Sequence, residues 1–197
     1  MKNLTKTVVL VLAIAVVLTG CKAPTQLIND VKGSLETVTQ AGADKYAVEE
    51  LKAINDDMTK ALDAIAAQDK KFFKKFGPAK EMLAQVQTKV SELTAALPAK
   101  IEAAKNAAIQ MQGEAKAALD AAAELLKKAP KGKGTAKDLE ALKGDLTGAE
   151  TMFTEIQTAL DAKDYIAAQD KAKAVKDKAA GIADQVNQAI EKVKGKK

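Results

Sequence analysis

The sequence predicts an all-α chain: an elongated antiparallel bundle, coiled-coil-like, of about five helices. Three observations carry this. From Pro24 onward the apolar residues recur at steps of three and four, the period of one helix face. Residues 95–129 hold 14 alanines in 35, and alanine is the strongest helix former. No stretch of strand-like alternation competes.

The first segment follows a different pattern. Lys2 and Lys6 precede an uninterrupted apolar run of eleven residues, 8–18. Such a run is too short for a comfortable bilayer span, and it stands where a secretory signal puts its hydrophobic region. Leu18-Thr19-Gly20-Cys21 follows, with the only cysteine of the chain. This ending resembles a bacterial lipobox. The resemblance implies that residues 1–20 are a cleaved lipoprotein signal peptide, that a diacylglycerol is attached to the Cys21 sulfur, and that the new amine is acylated. Several acyl chains hold firmly to a bilayer, at about 0.8 kcal/mol per buried methylene. Cys21 is then neither a catalytic thiol nor a disulfide partner, and an exported chain must be stable without cross-links. Lys22 stands where Asp would resemble an inner-membrane retention signal. The expected address is therefore the periplasmic face of a Gram-negative outer membrane.

Residues 21–46 are read as the lipidated N-terminus and a short helix, with Leu27, Ile28, Val31, Leu35 and Val38 as its stripe and Gly42 as its end. Leu51, Ile54, Met58, Ala61 and Ile65 make the second stripe. From Leu83 through Val86, Val90, Leu93, Leu97, Ile101, Ala104, Ala108, Met111, Ala115, Leu119 and Ala122 to Leu126, one phase is held across Pro98. A proline inside a helix costs about 3 kcal/mol, which argues for a turn there. Continuous phase argues for one long, kinked helix from about Pro78 to Lys128, and is the favoured reading. After "APKGKG" (129–134), Thr135 with Asp138 resembles a capping box that starts the fourth helix. Leu139, Leu142, Leu146, Ala149, Phe153, Ile156 and Leu160 form its stripe, and Tyr165, Ala168, Ala172, Val175, Ala179, Ile182 and Val186 form the last.

"ELKAINDDMTKA" (50–61) aligns with "DLEALKGDLTGA" (138–149) at an offset of 88, with Leu51/Leu139, Ala53/Ala141, Asp57/Asp145, Thr59/Thr147 and Ala61/Ala149 identical. Shared heptad phase explains the leucines and some alanines; the Asp and Thr matches favour duplication. The expected organisation is a helical hairpin over 47–97, an Ala-rich connector helix and basic loop over 98–135, a second hairpin over 136–194, and a basic tail, 195–197. "ADKYAVEELKA" (43–53) and "LDAKDYIAAQDKA" (160–172) also resemble motifs in a family of Gram-negative lipoproteins with paired helices and no assigned function. That family often reads Y-A-P-E-E-L and G-D-Y; Val48 and Lys163 here replace the proline and the glycine. The resemblance implies a periplasmic helical module and carries over no functional residue.

Composition excludes much. Without residues 1–20 the chain has 177 residues, and loss of Lys2 and Lys6 takes the formal charge from +5 to +3. That field is weak for a nucleic-acid binder, and with no Trp, 4 Phe and 2 Tyr there are few stacking platforms. Histidine is absent, which removes the commonest general base and transition-metal ligand. With the cysteine lipidated, zinc, haem and iron–sulfur centres have almost nothing to hold them, and no cofactor is implied. The adjacent carboxylates Glu49-Glu50 and Asp56-Asp57 point to different helix faces and do not make a catalytic pair. "KGKG" (131–134) lacks the pattern of a phosphate cradle. The chain is not expected to be an enzyme.

"DKKFFKKFGP" (69–78) is the most unusual stretch. On a helix Phe72, Phe73 and Phe76 share one side, with Lys70, Lys71, Lys74 and Lys75 largely around the other. One reading is a hydrophobic plug closing the tip of the first hairpin; the other is a surface that enters a membrane interface or docks a partner. The expected partners are thus the membrane, through the N-terminal lipid, and an envelope protein, with no nucleic acid. The expected function is a non-catalytic scaffold, spacer or partner-binding accessory of the envelope, with a carrier or chaperone for lipid or hydrophobic peptide as the alternative.

Overall fold

The computed structural model describes residues 22–130 and 135–194. The signal segment, the lipobox residues Leu18, Thr19 and Gly20, Cys21, the "KGKG" loop and the tail 195–197 lie outside the described residues. Among those described there are helices and no strand. The five main helices are α1 (Thr25–Val38), α2 (Val48–Asp69), α3 (Gly77–Lys128), α4 (Ala136–Asp161) and α5 (Tyr165–Lys194). None is long and apolar enough to cross a membrane.

Between α1 and α2 the chain kinks at Gly42, within Thr39–Ala43, and passes through a single α turn, Asp44–Tyr46. Gly42 ends the first stripe at φ +105°, a backbone region that side chains resist, and a Cβ there would lie 3.2 Å from the Tyr46 ring. α4 and α5 are joined by Ala162, Lys163 and Asp164. Lys163, the position at which the resembled motif has glycine, takes φ +58°, where an L side chain is strained.

α3 is continuous through Pro98, so the turn alternative is not taken. Contacts nevertheless divide the chain between Pro98 and Ala99 into two compact units. In the first unit α1, α2 and the start of α3 share a core of Val31, Leu35, Ile54, Met58, Ala61, Leu83, Val86, Val90 and Leu97. Gln87 Nε2 donates to Ser34 Oγ at 3.1 Å, tying α3 to α1. Lys89 pairs with Asp57 at 2.6 Å, tying α3 to α2. In the second unit the rest of α3 packs with α4 and α5. Gln112 Nε2 donates to Gln157 Oε1 at 3.2 Å, Gln169 Nε2 to the Ala104 carbonyl at 2.8 Å, and Lys176 pairs with Glu114 at 2.6 Å.

Within 98–128, expected as a connector helix, Ala108, Ala115, Leu119, Ala122 and Leu126 are buried, and residues 99–128 fall in the second unit with α4 and α5. Small side chains let that helix approach its neighbours closely, so an alanine-rich face makes a core as an apolar one does. Each unit is therefore three helices. Many buried positions align: Val31, Leu35 and Val38 with Ala115, Leu119 and Ala122; Ala47 with Thr135; Leu51, Ile54, Met58 and Ala61 with Leu139, Leu142, Leu146 and Ala149, whereas the last turns of α2 and α4 do not, Ile156 and Ala159 being buried where Gln68 and Lys71 are not. In the third helices Phe76, Ala79, Leu83, Val86, Val90, Leu93 and Leu97 align with Tyr165, Ala168, Ala172, Val175, Ala179, Ile182 and Val186. The offset is 84 residues in the first helices, 88 in the second and 89 in the third.

Thr135 stands at the N-cap of α4 as expected, but without the side-chain cap bond of a capping box. It is buried, and its hydroxyl donates instead to the Pro130 carbonyl at 3.3 Å.

Candidate functional site

The stretch between α2 and α3 is the site at which the structure departs furthest from a closed helical surface. Residues 70–76 are not helical. The cause is local: Pro78 lacks an N–H and is tolerated only in the first turn of a helix, so α2 cannot run on into α3. The three phenylalanines, expected on one helix side, are consequently separated. Phe76 is fully buried and starts α3, its carbonyl accepting from the Lys80 N–H at 2.9 Å. Phe72 and Phe73 are 93% and 79% exposed, edge to face with centroids 5.1 Å apart. The plug is one residue, Phe76; the other two rings face water.

The loop is held rather than frayed. The Lys71 N–H donates to the Gln68 carbonyl at 2.9 Å, and the Lys75 N–H to Gln68 Oε1 at 3.3 Å. Lys74 pairs with Asp69 at 3.0 Å. Lys70, Lys71 and Lys75 are exposed and make no ion pair among the described residues. Gln68, which helps fix the loop, was not singled out by sequence, and Asp69 only as the first residue of the quoted stretch 69–78. The only other signal was their place at the end of the second stripe.

Register places this loop in the first unit. Ser34 lies ten residues beyond Pro24, and its partner Gln87 lies ten beyond Gly77. Asp57 lies twelve residues before Asp69, and its partner Lys89 twelve beyond Gly77. At 1.5 Å of rise per residue both spans match. α1 and α3 thus run parallel, α2 runs against them, and loop 70–76 lies at the end of the unit where α1 begins. Lys22 and Pro24 are the first described residues of that end.

Elsewhere the charged groups serve packing. Asp57 also pairs with Lys60 at 2.8 Å; the hydrogen bonds from Lys60 and then Lys89 pull its pKa down to about 2, and Lys60 is raised in return. Glu114 is lowered by its bond to Lys176, with help from Gln110, and Lys176 is raised by the same contact. Asp56, Glu49 and Glu50 are exposed on α2. In the second unit a cleft of about 300 Å³ between α4 and α5 is lined by Asp138, Leu142, Asp145, Gln185, Gln188 and Lys192. Its carboxylates lie seven residues apart, with no hydroxyl, thiol or imidazole side chain in the lining. Among the described residues no group of three or more acidic, Cys or His side chains could hold a metal ion.

No protein-family model matches the chain, and no curated protein or solved structure matches it either.

Proposed function

We propose that the chain is a lipid-anchored envelope protein, held through Cys21 at the periplasmic face of an outer membrane, and that it is a non-catalytic helical scaffold or partner-binding accessory. The observation that carries this reading is the lipobox Leu18-Thr19-Gly20-Cys21 standing four residues before the first helix, which begins at Thr25. An anchor at Cys21 joins directly to a packed unit, so the lipid would set the position of a rigid body rather than the end of a long tether. Two units built on the same burial register, with faces of solvated Lys, Glu and Asp, fit a part that presents surface. Seams lined by buried apolar side chains suit a spacer better than a carrier that must open them.

Mass spectrometry of the chain from its producing cell tests the anchor. The expected mature form starts at Cys21, with a thioether-linked diacylglycerol and an acylated amine. A form that retains residues 1–20 with a bare Cys21 sulfur would overturn the reading. A pull-down from intact envelopes, with and without Cys21→Ala, tests the accessory role; a partner recovered only with the anchored form is the expected result.

A further inference from the structure

We infer that loop 70–76 is a second membrane contact: Phe72 and Phe73 enter the interface of an anionic phospholipid bilayer while Lys70, Lys71 and Lys75 meet its headgroups. Five observations converge on that occupant. The two rings are 93% and 79% exposed, the largest exposures among the big apolar side chains of the described residues. The second unit makes the same connection without them. There Tyr165 takes the place of Phe76, and the chain reaches it through Ala162, Lys163 and Asp164. That turn is closed by backbone bonds from Lys163 to Leu160 and from Asp164 to Ala159, both 2.9 Å, with no aromatic at its tip. Phe72 and Phe73 are therefore additional to the architecture.

The loop is also preorganised. Buried Phe76, the Gln68 bonds and the Lys74–Asp69 pair hold its backbone, so little ordering remains to be done on binding. Its charge selects the surface. Aromatic rings flanked by lysines match the apolar-beneath-anionic layering of a lipid interface, where rings settle at headgroup depth and lysines gain from negative lipid. Its place selects which bilayer. The loop is at the end of the unit where α1 starts, and exposed Lys22 at that end is the residue after Cys21. An anchor at Cys21 and the rings of the loop then address the same membrane, and the helices of the first unit point away from it. That the bilayer is the anchor's own rests on the Cys21 reading; the affinity of the loop for anionic lipid does not.

The test uses the chain from residue 21 onward, which contains every described residue, with Cys21→Ser so that no lipid is attached. Cosedimentation is measured with vesicles of phosphatidylcholine alone and with vesicles rich in phosphatidylglycerol. Binding is expected to the anionic vesicles, and to weaken about tenfold or more in Phe72→Ser/Phe73→Ser, in Lys70→Glu/Lys71→Glu and on raising salt. Because the rings are exposed, the double serine variant is expected to keep the parent melting temperature. The chain has no tryptophan, so Phe73→Trp supplies a single reporter. Its emission should shift to the blue with anionic vesicles and not with neutral ones. An unshifted indole spectrum in Phe73→Trp, or vesicle binding that survives Phe72→Ser/Phe73→Ser, overturns the inference. Vesicle binding unchanged while those substitutions abolish capture of an envelope protein overturns it in favour of a protein dock. Since no arm uses the lipidated form, a bare Cys21 in the producing cell leaves this result standing on its own.

Discussion

Phe76 and Phe72 are the same residue type four positions apart, and the structure gives them opposite roles. Phe76 is fully buried, so Phe76→Ala removes a ring from a packed core and is expected to cost about 3–5 kcal/mol, read as a lowered denaturant midpoint. Phe72→Ala removes one from water and is expected to stay within about 0.5 kcal/mol of the parent. Equal losses at both positions would contradict the placement. Asp57 offers a pH test. Its pKa in the folded chain, about 2, lies below the ordinary 3.8, so the Lys60 and Lys89 contacts stabilise the fold above that ordinary value. The contribution is lost as the pH falls through the interval between the two. The difference in melting temperature between parent and Asp57→Asn is therefore expected to be present at neutral pH and to close across this window. All three side chains are solvated, so the difference should be small and should shrink with salt.

At the scale of elements, α3 carries the least expected feature, a helix that continues through a proline. Pro98 has no N–H to offer the Thr94 carbonyl four residues back, and its ring crowds that turn. The helix persists because its apolar phase is held on both sides, by Leu93 and Leu97 before and by Ala108 and Ala115 after. Pro98 itself is exposed, so its replacement disturbs no core. Pro98→Ala is expected to stabilise the chain by about 2 kcal/mol, the helical penalty less the entropy that proline removes from the unfolded chain. Chemical denaturation followed by circular dichroism measures it. The joints between helices obey the same logic: Gly42 sits at a φ that suits it, and Lys163 at one that does not.

For the molecule as a whole, the ten residues 98–107 of α3 include none that is buried, and the division into units falls at the start of that stretch. Regions that bury little open most easily, and each cooperative unit follows its own core. Phe76→Ala is thus expected to speed amide hydrogen exchange through α1, α2 and residues 77–97 far more than through α4 and α5. Uniform acceleration along the chain would show that the two cores unfold as one.

The helical class, the stripes from Val31 to Val186 and the continuity of α3 were legible in the sequence, because apolar period is set locally and survives packing. The burial of Phe76 apart from Phe72 and Phe73 was not. A helical projection treats neighbours alike, whereas Gly77-Pro78 breaks the helix and the core admits a single ring. Residues 98–128 read as a connector because alanine carries little hydrophobic signal; three-helix packing made them a core face. Local period alone thus set the helical class and most of the inward faces, and the first twenty-one residues carry the expectation of a lipid anchor. Only the tertiary structure decided that two three-helix units form, and that the basic aromatic loop shares an end with the start of α1. The reason is that helix direction and level depend on contacts such as Ser34–Gln87 and Asp57–Lys89, between residues far apart along the chain.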